Sequence, residues 1–210
     1  MKLIHYPAPP MYTNTYFYYD ETTLDACVID PSGSADKLMN IVKVNYLNLK
    51  YILLTHGHYD HIGTVNELKS LTGAQILAHK DEDAILKDAQ LNLSKVGTGK
   101  EIVVTCDGLL THGDVIEVGG GRLSVIHTPG HTAGGACFYD EDGGILFSGD
   151  TLFRGTVGRF DLPTSDGRAL IASIKNKLFI LPDEVKVLPG HDAATTIGYE
   201  KSNNRIAKGV

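Results

Sequence analysis

Short apolar runs rich in β-branched and aromatic residues alternate along the chain with segments of helical period, and Gly, Pro, Asn or Asp bounds most of them. Tyr16-Phe17-Tyr18-Tyr19 and Ala26-Cys27-Val28-Ile29-Asp30 predict successive strands of a hairpin. After the turn Pro31-Ser32-Gly33-Ser34, a helix is expected over 36–45, with Leu38, Ile41, Val42 and Tyr46 on one face. Tyr51-Ile52-Leu53-Leu54 returns to strand and stops at Thr55-His56-Gly57-His58-Tyr59-Asp60-His61. Residues 64–71 then predict a helix closed by Gly73. Ile76-Leu77-Ala78 is a further strand, 81–89 a further helix, and 92–100 a polar loop without period.

From Val115 onward strands dominate: Val115–Val118, 123–127, 136–139 and 145–148, joined by glycine-rich turns at Gly119-Gly120-Gly121 and Gly143-Gly144. That spacing predicts an antiparallel meander. A helix over 168–181, apolar at Leu170, Ile171, Ile174, Leu178 and Phe179, leads through Pro182 to a last strand, Val185-Lys186-Val187-Leu188, and the loop Pro189-Gly190-His191. Strands followed by helices thus recur in two halves, 1–113 and 114–210, of one expected domain. Two sheets sandwiched between helices would bury both sets of apolar faces.

The composition narrows the partners. A net charge of -6, from 19 basic and 25 acidic side chains, offers no broad positive field for a phosphate backbone, so nucleic acid is not expected. No apolar run approaches the roughly 18 residues of a membrane span. Three scattered cysteines without a CxxC pair point to neither a disulfide framework nor a thiolate metal site, and a reducing cytoplasm is the expected setting. The sequence leaves the oligomeric state open.

The chemistry lies in the loops that follow strands. His56-x-His58-x-Asp60-His61 places four metal-ligand side chains within six residues, too irregularly for one helix face but suitably for a loop that curls around ions. His131 in Thr128-Pro129-Gly130-His131-Thr132, Asp150 in Ser148-Gly149-Asp150-Thr151 and His191 after Gly190 occupy similar loops. Loops at strand ends converge on one edge of a layered sheet, which can unite residues far apart in sequence. Imidazole and carboxylate together suit zinc, iron or manganese. His5, His79, His112 and His127 fall outside this pattern and read as surface or core residues.

In order and spacing these residues resemble the metal signature of the metallo-β-lactamase superfamily, over nearly the whole chain. The resemblance implies a four-layer αββα fold. It also implies a first divalent ion on His56, His58 and His131, a second on Asp60, His61 and His191, and Asp150 between them, with Asp60 and Asp150 at the catalytic water. Zinc would be the first choice of ion, with iron or manganese as the others. The segments Asp150-Thr151-Leu152-Phe153-Arg154-Gly155 and Val157-Gly158-Arg159-Phe160-Asp161-Leu162-Pro163 are similar to the glyoxalase II branch. So is the ending Thr195-Thr196-Ile197-Gly198-Tyr199-Glu200-Lys201.

This branch resemblance implies hydrolysis of a small-molecule thioester such as S-lactoylglutathione, with Arg159 holding a carboxylate of the substrate. Asp161 stands where the larger glyoxalase II enzymes carry an aromatic residue, and Ala193 where they carry a tyrosine. The chain ends near Val210 without the added helical segment that completes their glutathione pocket. Two other readings stay open. Persulfide dioxygenases share the signature and a Gly-Arg-x-Asp segment but use one iron, and a non-enzymatic domain could use the ions for folding alone.

Overall fold

The computed structural model describes residues 1–208. Its first sheet runs β1 (Lys2–Ala8), β2 (Thr13–Tyr19), β3 (Asp25–Ile29), β4 (Asn48–Leu54), β5 (Gln75–His79) and β6 (Gly108–Leu110), in sequence order across the sheet. The first three strands pair antiparallel, and β3 to β6 pair parallel. Parallel neighbours need crossovers. These are α1 (Ala35–Val44), then α2 (Tyr59–Ile62) with α3 (Val65–Thr72), then a 3-10 turn at Lys80–Glu82 with α4 (Asp83–Leu86) and α5 (Ser94–Thr98).

The second sheet holds β7 (Val115–Val118), β8 (Gly121–His127), β9 (Ala136–Asp140) and β10 (Ile145–Gly149) as an antiparallel meander. A small hairpin, β11 (Leu152–Phe153) with β12 (Thr156–Val157), and helix α6 (Gly167–Ser173) follow. Then β13 (Lys186–Pro189) returns parallel to β10 and β14 (Thr195–Thr196) closes the edge, before α7 (Ile197–Asn203) and α8 (Arg205–Lys208).

The period of two along each strand sorts its side chains between layers. On β3, Ala26 and Val28 pack outward against the cluster that holds Leu38, Val65 and Leu68 of the helices, while Cys27 and Ile29 point into the cluster between the sheets. On β9, Phe138 faces the inter-sheet core and Cys137 and Tyr139 face Leu170, Ile174 and Ile197. Both faces of each sheet are therefore buried, which is why these strands read as continuous apolar runs rather than alternations. The result is the expected αββα sandwich. Tyr18 Oη donates to Asp140 Oδ2 at 2.8 Å and ties the two sheets across the buried core. All three cysteines are free, and among the described residues no helix is long and apolar enough to cross a membrane.

Local differences from the sequence reading have physical causes. Strand β1 was not anticipated, because this edge strand is largely half-exposed, carries Pro7 and shows no clean alternation. The helix expected over 81–89 is a 3-10 turn and a single α-turn, because the buried Glu82 is drawn inward by three hydrogen bonds. The loop over 92–100 contains α5, bounded by left-handed Leu93 and Gly99. The helix expected over 168–181 is regular only to Ser173 and widens into a π turn at Ile174–Leu178. Gly73 closes α3 at φ 74°, as its position suggested.

Candidate metal centre

Strands β4, β8, β10 and β13 all end on one edge of the sandwich, and each releases a loop there. Beyond β4, His58 is extended (φ -64°, ψ 145°) and caps α2, which carries Asp60 and His61 inward. His131 lies beyond β8, Asp150 directly after β10, and His191 two residues after β13. All seven residues predicted as ligands meet in one cluster.

Three overlapping groups of donors meet here: His56 with His58 and His131, Asp60 with His61 and His191, and, behind the rings of both, Asp30 with His56 and His61; the first two match the expected ligand sets. In the first, His58 Nδ1 approaches His131 Nε2 at 2.9 Å. In the second, His191 Nε2 lies 3.1 Å from Asp60 Oδ2 and 3.3 Å from His61 Nε2. Asp150 stands between them, with Oδ2 3.6 Å from His131 Nε2 and Oδ1 3.4 Å from His61 Nε2.

The far sides of the rings fix which nitrogen faces inward. The main-chain oxygen of Arg159 can only accept, so His131 Nδ1 donates to it at 2.7 Å and Nε2 keeps its lone pair. The Asp30 carboxylate accepts from His61 Nδ1 at 3.0 Å and from Thr55 Oγ1 at 2.6 Å. With its hydrogen committed to Asp30, Thr55 Oγ1 accepts from His56 Nδ1 at 3.1 Å. One carboxylate therefore sets the tautomer of a histidine in each group. Glu82 holds the loops themselves: it accepts from Gly57 N at 2.7 Å and, at 2.9 Å, from both Thr132 Oγ1 and Gly134 N.

Neither Asp30 nor Glu82 was singled out from the sequence. Asp30 offered one signal, a strand-end aspartate before proline; it adopts φ 50°, a left-handed conformation aspartate tolerates better than most residues.

Charge in the cluster follows from burial and proximity. Burial holds His56 well below the ordinary imidazole range and brings His58 down to about 3, with neighbouring histidines adding to the effect. Burial also opposes charge on His61, but Asp150, Asp60 and Asp30 outweigh it and push the ring up to about 10. Asp60 is likewise opposed by burial, yet His61 and His191 hold its carboxyl well below the usual range. His56 and His58 thus stay neutral, as metal ligation requires, whereas His61, and with it His191, is biased by the surrounding carboxylates toward keeping a proton that ligation would release.

The donor set fits divalent ions. His56 Nε2, His58 Nε2 and Asp150 Oδ1 are buried side-chain atoms without a hydrogen-bond partner among the described residues. An unsatisfied buried polar atom costs about 1–3 kcal/mol, so His56 Nε2 and Asp150 Oδ1 call for a partner that the side chains do not supply, while His58 presents Nδ1 rather than Nε2 to His131.

A cleft of about 410 Å³ opens onto His58, Asp60, His131, Asp150 and His191. Its walls are largely apolar: Met11, Leu93, Phe153, Val157 and Leu162. Arg159 also lines it, but the guanidinium is exposed and paired with Asp161, Nε to Oδ1 at 2.9 Å and the terminal nitrogen to Oδ2 at 3.0 Å. Arg154 lies instead over the Tyr199 ring, 5.4 Å from its centroid.

Comparison with known proteins gives consistent matches. The family model for the metallo-beta-lactamase superfamily matches residues 8–191. Hydroxyacylglutathione hydrolase GloC of Haemophilus influenzae is 36% identical over 182 residues, 86% of each chain. The probable metallo-hydrolase YqgX of Bacillus subtilis is 35% identical over 211 residues, 100% of this chain and 99% of its own. Among solved structures, the BLEG-1 B3 metallo-beta-lactamase superposes with a TM-score of 0.92 at 38% identity, covering 98% of this chain and 99% of that one. TTHA1623 in a di-iron-bound form gives 0.85 at 36% identity, covering 96% and 98%. ETHE1 from Myxococcus xanthus gives 0.79 at 29% identity, covering 99% and 85%.

Proposed function

The chain belongs to the metallo-beta-lactamase superfamily, and on that premise we propose that it is a dinuclear metal-dependent hydrolase of small thioesters. The superfamily binds divalent metals. Here His56, His58 and His131 would hold one ion, Asp60, His61 and His191 the other, and Asp150 both, with zinc as the first choice and iron or manganese as alternatives. The observation that carries the reading is the position of Asp150. Its Oδ2 lies 3.6 Å from His131 in one group and 3.8 Å from His191 in the other, and Oδ1, 3.4 Å from His61, is buried without a hydrogen-bond partner among the described residues. A structural site closed by four ligands has no use for such a shared carboxylate.

When bound, the ions would supply an activated water and a counter-charge for the attacked carbonyl oxygen. The chain's own residues do the rest. Asp60 is largely buried beside His191 and stays ionised, so its Oδ2 can accept a hydrogen bond that orients the water, while its lowered basicity leaves the water's proton to pass to solvent. Met11, Phe153, Val157 and Leu162 keep bulk water from the cleft and pack against the acyl arm. Arg159, by exchanging Asp161 for a substrate carboxylate, would position the thiol arm. Thiolate leaves without a proton from the protein, because an ordinary thiol ionises at about pH 8.5. The likeness to GloC, whose name specifies a hydroxyacylglutathione substrate, supports a thioester.

An oxygenase with one iron is the second reading. It draws on the segment Gly158-Arg159-Phe160-Asp161 and on the likeness to ETHE1 from Myxococcus xanthus. Metal analysis of the purified chain, together with turnover of acyl-thioesters, a β-lactam and a persulfide with oxygen uptake, separates these possibilities. Two metal equivalents and thioester cleavage lost in His58→Ala are expected. Oxygen consumption on one bound iron would establish the oxygenase instead, and bound metal without turnover of any substrate would leave a non-enzymatic domain.

A further inference from the structure

Hairpin β11–β12 gives the cleft Phe153, Thr156 and Val157, yet it belongs to neither large sheet and pairs only two residues with two. So short a hairpin is marginal by itself, and its position has to come from what holds it. Part of the hold is apolar: Leu152 and Val157 share a buried cluster with Ile197 and Ala207 of the last two helices. The rest is polar and centres on Glu200 of α7.

Glu200 is wholly buried. Its Oε2 accepts from Gly155 N at 2.9 Å and from Asn204 Nδ2 at 2.7 Å, and its Oε1 accepts from Thr195 Oγ1 at 2.6 Å. Asn204 Nδ2 also donates to the main-chain oxygen of Thr156 at 2.9 Å. Arg154 lies over the Tyr199 ring, so three successive hairpin residues are tied to the segment 199–204. Phe153 and Val157, on either side of them, line the cleft. Burying a carboxylate is unfavourable unless hydrogen bonds satisfy it. Helix α7 does not require it, because Thr196 Oγ1 already caps that helix by accepting from Tyr199 N.

We propose that Glu200 and Asn204 are positioning residues that fix hairpin β11–β12 as the acyl-side wall of the cleft and so limit the acyl group admitted to the metal centre. The inference rests on the thioester reading above. Neither residue lines the cleft, so both act through the hairpin.

The bonding pattern dictates how each replacement behaves. In Glu200→Gln the amide oxygen can stand in for Oε2 and keep Gly155 and Asn204, while the amide nitrogen donates to Thr195 Oγ1, whose hydroxyl turns round. Glu200→Met fills a similar volume without an acceptor and releases Gly155. Asn204→Ser releases Thr156, yet serine can still accept from Ala207 N, as Asn204 Oδ1 does at 2.9 Å.

Turnover of acetyl, lactoyl and benzoyl thioesters of one thiol, with amide hydrogen exchange at Gly155, tests the assignment. Glu200→Met and Asn204→Ser should raise KM for the small acyl groups, with kcat and metal content nearly unchanged, and cut the preference for them over benzoyl by about 10-fold. Gly155 should exchange faster in Glu200→Met. Glu200→Gln should match the wild type in both measurements. If Glu200→Met does not fold, Asn204→Ser carries the comparison. Wild-type selectivity in the folded variants, a uniform fall in kcat, or a loss in Glu200→Gln as large as in Glu200→Met overturns the proposal. A wild type that cleaves no thioester defeats the thioester reading instead, and Gly155 exchange in Glu200→Met then decides whether Glu200 holds the hairpin.

Discussion

Asp30 Oδ2 stands 3.0 Å from His61 Nδ1, and that contact turns the opposite nitrogen of the ring toward His191, 3.3 Å away. Through Thr55 the same carboxylate also orients His56. Asp30→Ala should therefore weaken both proposed metal positions without removing a ligand. The expected loss of metal affinity is about 10- to 100-fold, measured by competition with a chromophoric chelator. Asp30→Asn, whose amide oxygen can still accept from His61, should lose less. An alanine variant that binds metal as tightly as the wild type would show that the ring orientations are set by packing alone.

The extent to which the site was legible in the sequence follows from the range of each interaction. His56 to His61 are crowded into one loop, and His131, Asp150 and His191 each follow a recognisable strand, so residue type and position sufficed to group them. Asp30 and Glu82 have no such local mark. Asp30 acts across 25 residues on Thr55 and 31 on His61, and Glu82 joins Gly57 to Thr132 and Gly134, pairings that only the packed sheets create. The αββα layering was legible for the reason that β1 was not: central strands bury both faces and read as apolar runs, whereas a half-exposed edge strand does not.

Arg159 has two separable parts. Its main-chain oxygen fixes His131, whereas its side chain pairs with Asp161 at the cleft mouth. Arg159→Ala should leave metal content unchanged and raise KM for a thioester with an anionic thiol arm by about 10-fold, with a small effect on kcat. A thioester with an uncharged thiol arm should show little of this change. A fall in kcat with KM unaltered would place the side chain in the chemical step rather than in binding.

Glu82 gives a pH dependence whose sign can be worked out. Burial pushes its carboxyl from 4.5 up to about 7, against the opposing hydrogen bonds from Gly57, Thr132 and Gly134. A raised carboxyl binds its proton more tightly in the folded state, so its contribution to stability is full below pH 4.5 and is lost as pH rises toward 7. The span corresponds to on the order of 3 kcal/mol. Glu82→Gln should flatten this part of the profile in urea unfolding of the metal-stripped chain. Parallel profiles for wild type and variant would mean that the carboxyl titrates normally.

Gly190 tests how closely the backbone must approach the cluster. A Cβ there would collide with Asp150 Oδ1 and come within 2.7 Å of His61 Cε1. The loop has little freedom to retreat: Asn14 Nδ2 donates to Pro189 O at 3.0 Å and to Asp192 O at 2.9 Å, and Tyr16 Oη donates to Pro189 O at 2.9 Å. Asn14 N also donates to the main-chain oxygen of Gly190 itself, at 2.7 Å. The Asp150 carboxylate, at the free end of a side chain, is then the group that must move. Gly190→Ala should consequently fold, with a stability loss of about 1–3 kcal/mol by denaturant titration. Thioester turnover should fall by about 100-fold, because the displaced carboxylate can no longer serve both donor groups. The stoichiometry of tightly bound metal should drop with it. Full metal content and full turnover in a folded Gly190→Ala variant would show that Asp150 has room to yield, and would remove the bridging role assigned to it.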